Sequence, residues 1–124
     1  MKSPDLKKMT VPQLVERFTS LSLGQFKAEL SGEIAKFNSL YDEVVAIKEE
    51  LKSRAGDRRD SLVPLFAHAN PQVRLNAAQW ALAVSPVAAR RTLQEISDRN
   101  EYPQAAYARQ SLGALDRGES KLTE

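Results

Sequence analysis

The chain has 124 residues, 42% of them hydrophobic and 27% charged, with a net charge of +2 at neutral pH; this is ample for one domain with its own core and ordinary for a globular one. It has no cysteine, which excludes a disulfide scaffold, a thiolate zinc site and a cysteine nucleophile. So small a net charge implies no nucleic-acid partner by itself. With no signal-like start and no run near the roughly 20 apolar residues of a membrane span, the expected setting is the cytoplasm, with no membrane contact.

Every strong periodic signal is helical, and no convincing period-two strand occurs. Residues 1–9 read as a polar lead-in. Thr10-Val11-Pro12-Gln13 has the form of a capping box, with Thr10 at N-cap, Gln13 at N3 and a proline in the tolerated first turn. The helix it opens carries Leu14, Val15, Phe18 and Leu21 on one side. A second box, Ser22-Leu23-Gly24-Gln25, predicts a break there. An apolar stripe through Phe26, Leu30, Ile34, Phe37, Tyr41, Val44, Val45 and Leu51 stays in phase across Ser31-Gly32. It predicts one long second helix to about residue 54, against the cost of about 1 kcal/mol for an interior glycine.

Gly56 then caps that helix and Asp57 opens a third, carrying Leu62, Val63, Leu65 and Phe66 with Pro64 near its start. Asn70-Pro71 and Ser85-Pro86 each read as an N-cap followed by an N1 proline. The fourth helix carries Val73, Ala77, Trp80, Ala81 and Val84, and the fifth carries Val87, Leu93 and Ile96. The sixth opens near Pro103 and carries Ala105, Ala108, Leu112 and Leu115, and the polar tail from Asp116 is expected to fray. Pro71-Gln72 recurs as Pro103-Gln104, 32 residues on, each pair opening an alanine-rich helix. A period of this size marks a solenoid, whose units cannot bury their apolar faces alone and must stack. The expected fold is therefore all-α, a short alpha-alpha superhelix of about six helices in three hairpins, with one domain over residues 10–116 and a tail at 117–124.

The run Asn70-Pro71-Gln72-Val73-Arg74-Leu75-Asn76-Ala77-Ala78, with Trp80-Ala81 and Val84 after it, resembles the second helix of a HEAT repeat, in the HEAT/ARM-like class. There an Asp/Asn-Pro turn leads to Val-Arg and small residues, and the resemblance implies that Arg74 pairs along the stack. The next unit departs, with Ala105-Ala106 where Val-Arg would stand, so an arginine ladder cannot continue. The period is also short beside the roughly 40–47 residues of that family. Over about residues 10–116 the chain further resembles a small uncharacterised bacterial family of HEAT-like proteins, a domain-of-unknown-function family that implies a fold and no activity.

The candidate chemistry is sparse. His68 is the only histidine, expected in the last turn of a helix, where the dipole favours it for structural reasons and where no motif supplies an orienting partner. One histidine and no cysteine make a metal site improbable, and no cofactor is expected. Asp42-Glu43 and Glu49-Glu50 are helix neighbours that do not face each other. Asn38 falls among Ile34, Phe37 and Tyr41 and is expected as a buried amide satisfying a neighbouring element. Trp80 is expected in the core. The scattered glycines form no phosphate-cradling loop.

What remains is surface. Gln72, Asn76 and Gln79 recur at four and three on the fourth helix, and Gln104 and Ser111 stand at equivalent places on the sixth. With Arg74 and Arg109 they form either a polar recognition strip or an ordinary solvated helix face. Arginine also crowds into residues 54–124, with nine Arg and one Lys, against one Arg and seven Lys in residues 1–53. The expected function is a non-enzymatic protein-binding module, in a specific version an immunity-type inhibitor that masks a partner. The alternative is a nucleic-acid-binding protein, motivated by the arginine-rich half and by the HEAT-like folds of alkylpurine DNA glycosylases.

Overall fold

A computed structural model of the chain describes residues 4–124; residues 1–3 of the expected lead-in lie outside them. The fold is all-α: among the described residues there are five α-helices, two 3-10 helices and no strand. The chain forms two compact units, one ending at Ser61 and the other running Leu62–Glu124.

In the first unit a 3-10 turn, Leu6–Lys8, starts at the Asp5 carboxylate, which accepts from the Lys7 N–H at 3.1 Å. Helix α1 (Val11–Leu30) begins at the expected capping box. The Gln13 N–H donates to Thr10 Oγ1 at 3.2 Å and the Thr10 N–H donates to Gln13 Oε1 at 2.8 Å. Its buried face holds Leu14, Phe18 and Leu21, as their spacing predicts.

The expected break at Ser22–Gln25 is absent, and α1 runs straight through it. Ser22 is an interior residue whose Oγ donates to the Phe18 carbonyl at 2.8 Å, the back-bond available to a serine inside a helix. Gly24 marks a close approach, since a Cβ there would meet Leu40 Cδ1 at 3.1 Å. The break falls instead at Ser31-Gly32-Glu33, so the second helix is not continuous across it. Gly32 has a φ of +70°. Its N–H donates to the Glu29 carbonyl at 3.3 Å, and the Glu33 N–H donates to the Ala28 carbonyl at 2.9 Å. These two bonds make a Schellman stop, which needs a residue that tolerates positive φ. The in-phase apolar stripe was a misleading signal, because two packed helices can keep the phase that one long helix would show.

Helix α2 (Ile34–Ser53) packs back against α1 and buries Val44, Ile47 and Leu51, all in its second half. Arg17 joins Glu43 at 3.0 Å between the two helices. Arg54 holds the end of α2, with Nε on Glu50 at 2.7 Å and Nη2 donating to the carbonyls of Leu6 and Met9 at 3.1 and 2.8 Å. The chain then turns at Gly56 and Asp57, both at positive φ, and buried Arg59 pairs with the Asp57 carboxylate at 2.6 Å.

A 3-10 helix, Arg58–Ala67, stands where an α-helix is expected from sequence. Pro64 lies inside it, and its ring and missing N–H oppose an α-helical turn at that point. The tighter three-residue repeat is the local alternative.

In the second unit α3 (Pro71–Ala81) starts at Asn70, whose Oδ1 accepts from the N–H groups of Gln72 and Val73 at 2.8 and 3.3 Å. Helix α4 (Pro86–Asp98) packs against both α3 and α5 (Gln104–Asp116), which also touch each other. Leu75, Ala78, Leu82, Ala89, Leu93, Ile96, Ala108 and Leu112 form one buried cluster. The three alanines, Ala78, Ala89 and Ala108, let the helices approach closely, and Phe66, Leu115 and Leu122 close the cluster from its edge. The tail is thus not frayed as expected. Gly118, at φ +68°, stops α5 with the same pair of cap bonds as Gly32, to Leu115 at 3.1 Å and from Glu119 to Ala114 at 2.9 Å, and Leu122 packs down.

Candidate interaction surfaces

The polar strip expected on the fourth and sixth helices lies on α3 and α5, and most of it is inside the protein. Gln72, Arg74, Asn76 and Gln104 are buried, and Gln79 is half-buried. The amides form a ladder between equivalent positions of the 32-residue repeat. Gln104 Nε2 donates to Gln72 Oε1 at 3.1 Å, Gln72 Nε2 donates to Asn76 Oδ1 at 2.9 Å, and Gln79 Nε2 donates to Ser111 Oγ at 2.9 Å. Gln104 is 1% exposed, and its Oε1 has no hydrogen-bond partner among the described residues. Amides recurring at three and four on a helix can be read equally as a wet face or as an interhelical ladder. Only the neighbour α5 decides between the two.

Arg74 is consumed by the fold. Its Nε donates to the His68 carbonyl at 2.7 Å, and Nη1 and Nη2 each reach a Glu101 carboxylate oxygen at 2.7 Å. The planar fork matches the carboxylate with two parallel bonds. The Arg74 guanidinium holds the Glu101 carboxyl below its ordinary value of 4.5 against the opposing effect of burial, and Arg74 is itself raised by the same pairing.

Arg109 is exposed, yet its donors are also engaged. Nε and Nη2 bond Ser97 Oγ and the Ser97 carbonyl at 2.9 and 2.8 Å, and Nη2 bonds Asn100 Oδ1 at 2.7 Å. Nη1 bonds the Tyr102 hydroxyl, and the guanidinium lies 5.3 Å from the Tyr102 ring centre. Arg109 therefore fastens the end of α4, where carbonyls lack helical partners.

The remaining candidates are equally structural. His68 Nδ1 accepts from the Asn70 N–H at 3.0 Å, which shapes the turn before α3. A shallow groove of about 500 Å³ beside it is lined by Val63, Pro64, Phe66, Glu95 and Arg99. Among the described residues no group of three or more His, Asp or Glu could hold a metal ion, and no helix is long and apolar enough to cross a membrane. Trp80 is half-buried.

The surface that sequence reasoning missed is the end of the α1–α2 pair. Leu30 and Ile34 flank its turn and are each 73% exposed, Tyr41 is 43% exposed, and Phe37 is half-buried between them. Asn38, expected to be buried, is exposed on the same stretch. Leu and Ile set on either side of a glycine turn were the available signal, since turns run over the surface. Reading the helix as continuous hid it.

Comparison with known proteins adds a family and a fold. A family model described as a domain of unknown function (DUF2019) matches residues 12–116. The crystal structure of the protein RPA1889 from Rhodopseudomonas palustris CGA009 is similar, with 42% sequence identity and a TM-score of 0.92. The alignment covers 96% of this chain and 98% of that one. No curated protein matches.

Proposed function

The chain belongs to the DUF2019 family, and from that premise we propose that it is a non-enzymatic protein-binding module that masks part of a partner, in the manner of an inhibitor or immunity protein. The observation that carries this reading is the uncovered apolar end at Leu30 and Ile34, each 73% exposed. Singly exposed apolar residues are ordinary, but a contiguous group with an aromatic beside it is the composition of a binding surface. The amide ladder supports moving the contact away from Gln72, Asn76 and Gln104, whose hydrogen bonds are made within the chain. The reading takes α3 to α5 as a HEAT-like stack in a cytoplasmic, bacterial protein. The 32-residue pairing of equivalent residues supports the first part, and the lack of cysteine supports the second.

Nucleic-acid binding is the weaker reading. Arg17, Arg54, Arg59, Arg74, Arg90 and Arg117 are each paired with a carboxylate of the chain. The experiment is affinity capture from the native host with the wild-type protein and with Ile34→Glu, followed by titration of any purified partner. A partner held by the wild type and released by the variant is expected. Repeated failure of the folded wild type to retain any protein would remove the proposal.

A further inference from the structure

We propose that residues 117–124 form a releasable strap, latched by Leu122 alone, that covers the apolar edge of the second unit and opens without unfolding it. Among these residues Leu122 is the one large apolar side chain. It is half-buried and packs against the cluster that α3, α4 and α5 share, as Phe66 and Leu115 do. Arg117, Glu119, Lys121, Thr123 and Glu124 are exposed.

The polar bonds of the strap are all local. The Gly118 and Glu119 N–H groups donate to the Leu115 and Ala114 carbonyls at 3.1 and 2.9 Å. The Leu122 N–H donates to Ser120 Oγ at 3.1 Å, Thr123 Oγ1 donates to the Ser120 carbonyl at 3.3 Å, and the Glu124 N–H donates to the Lys121 carbonyl at 3.1 Å. The one ion pair, Arg117 with Glu119 at 2.8 Å, is exposed on both sides and adds little. Among the described residues no hydrogen bond or ion pair ties the strap to a residue before Gly113. Other ends of the fold are fastened differently. Arg54 reaches back to the Leu6 and Met9 carbonyls, and Arg109 on α5 holds Ser97 and Asn100.

Opening therefore breaks one apolar contact and no long-range polar bond. Holding residues 119–124 in place costs conformational entropy, which one half-buried leucine barely offsets. Segments with few buried apolar contacts and only local hydrogen bonds open on their own, well below the free energy of global unfolding. No helix need unwind, because Gly118, at φ +68°, already ends α5 ahead of the strap. Release uncovers the cluster edge beside half-buried Leu115. The closed strap thus keeps apolar surface covered that would otherwise be open to association.

Native-state hydrogen exchange of the full chain reads the opening. The Leu122 and Glu124 amides should be protected only on the order of tenfold, while amides within α4 hold to roughly a thousandfold or more. Leu122→Asp should abolish the tail protection, keep the helical circular dichroism, and raise the fluorescence of the apolar dye ANS. Leu122→Met should behave as the wild type. Tail amides as protected as those of α4 would overturn the proposal, because the segment would then open only with the whole unit. Unprotected tail amides in the wild type would also overturn it, since no closed strap would exist. So would Leu122→Asp with lost helix or with unchanged dye binding.

Discussion

Arg74 and Glu101 carry the clearest residue-scale consequence. The pair is two-fold hydrogen bonded, Arg74 is buried, and two further carbonyls before α3 depend on the same guanidinium. Arg74→Ala should lower the stability of the fold by about 3 kcal/mol, because it strips the partner from a half-buried carboxylate and leaves carbonyls unpaired. Glu101 titrates below its ordinary value of 4.5 because Arg74 bonds the ionised form. A depressed carboxylate contributes stability that is fully present above the unfolded-state value and is lost as pH falls through the folded-state value. Urea unfolding from pH 6 down to pH 3 should therefore fall more steeply for the wild type than for Glu101→Gln. Parallel curves for the two proteins would mean that the pair does not couple to folding.

At the scale of the element, the helix-start signals at Thr10 and Asn70 were sound, those at Ser22 and Asp57 were not, and Ser85 precedes α4 without a side-chain cap bond. Thr10-Val11-Pro12-Gln13 and Asn70-Pro71 form the caps their chemistry demands, because an N-cap is a local bargain between one side chain and two or three nearby N–H groups. Ser22-Leu23-Gly24-Gln25 has the same local chemistry, yet Gly24 serves the approach of Leu40 from the next helix. Gly32 is the converse case, with a φ of +70° and nothing within 4 Å of where a Cβ would stand. Gly32→Ala should therefore destabilise the protein by about 1–2 kcal/mol through backbone strain alone. Thermal unfolding would register this as a lowered Tm, and an unchanged Tm would show that the turn tolerates the strain.

For the whole molecule, the balance of charge bears on the nucleic-acid alternative. The net charge is +2, and most of its arginines already sit against carboxylates of the chain. Phosphate binding at those arginines would compete with these carboxylates. We expect no retardation of duplex DNA by micromolar protein at about 150 mM salt. A shift that weakens steeply as salt rises would restore the nucleic-acid alternative. The apolar end at Leu30 and Ile34, by contrast, is exposed and carries no charge of its own.

The sequence alone determined the all-helical class, the caps at Thr10 and Asn70, the packed faces of α1 and α5, and the 32-residue echo between α3 and α5. These follow from periodicity and from side chains acting on backbone groups a few residues away. The tertiary structure decided what the echo is for. Gln72 and Gln104 bond each other instead of facing water, and Arg74 closes on Glu101, 27 residues away. It also turned an apparent long helix into two, leaving Leu30 and Ile34 uncovered at their junction. The physical reason is the same in each case. Whether a polar or apolar side chain is exposed depends on the element that comes to lie beside it, and a neighbour distant in sequence leaves no mark on local spacing.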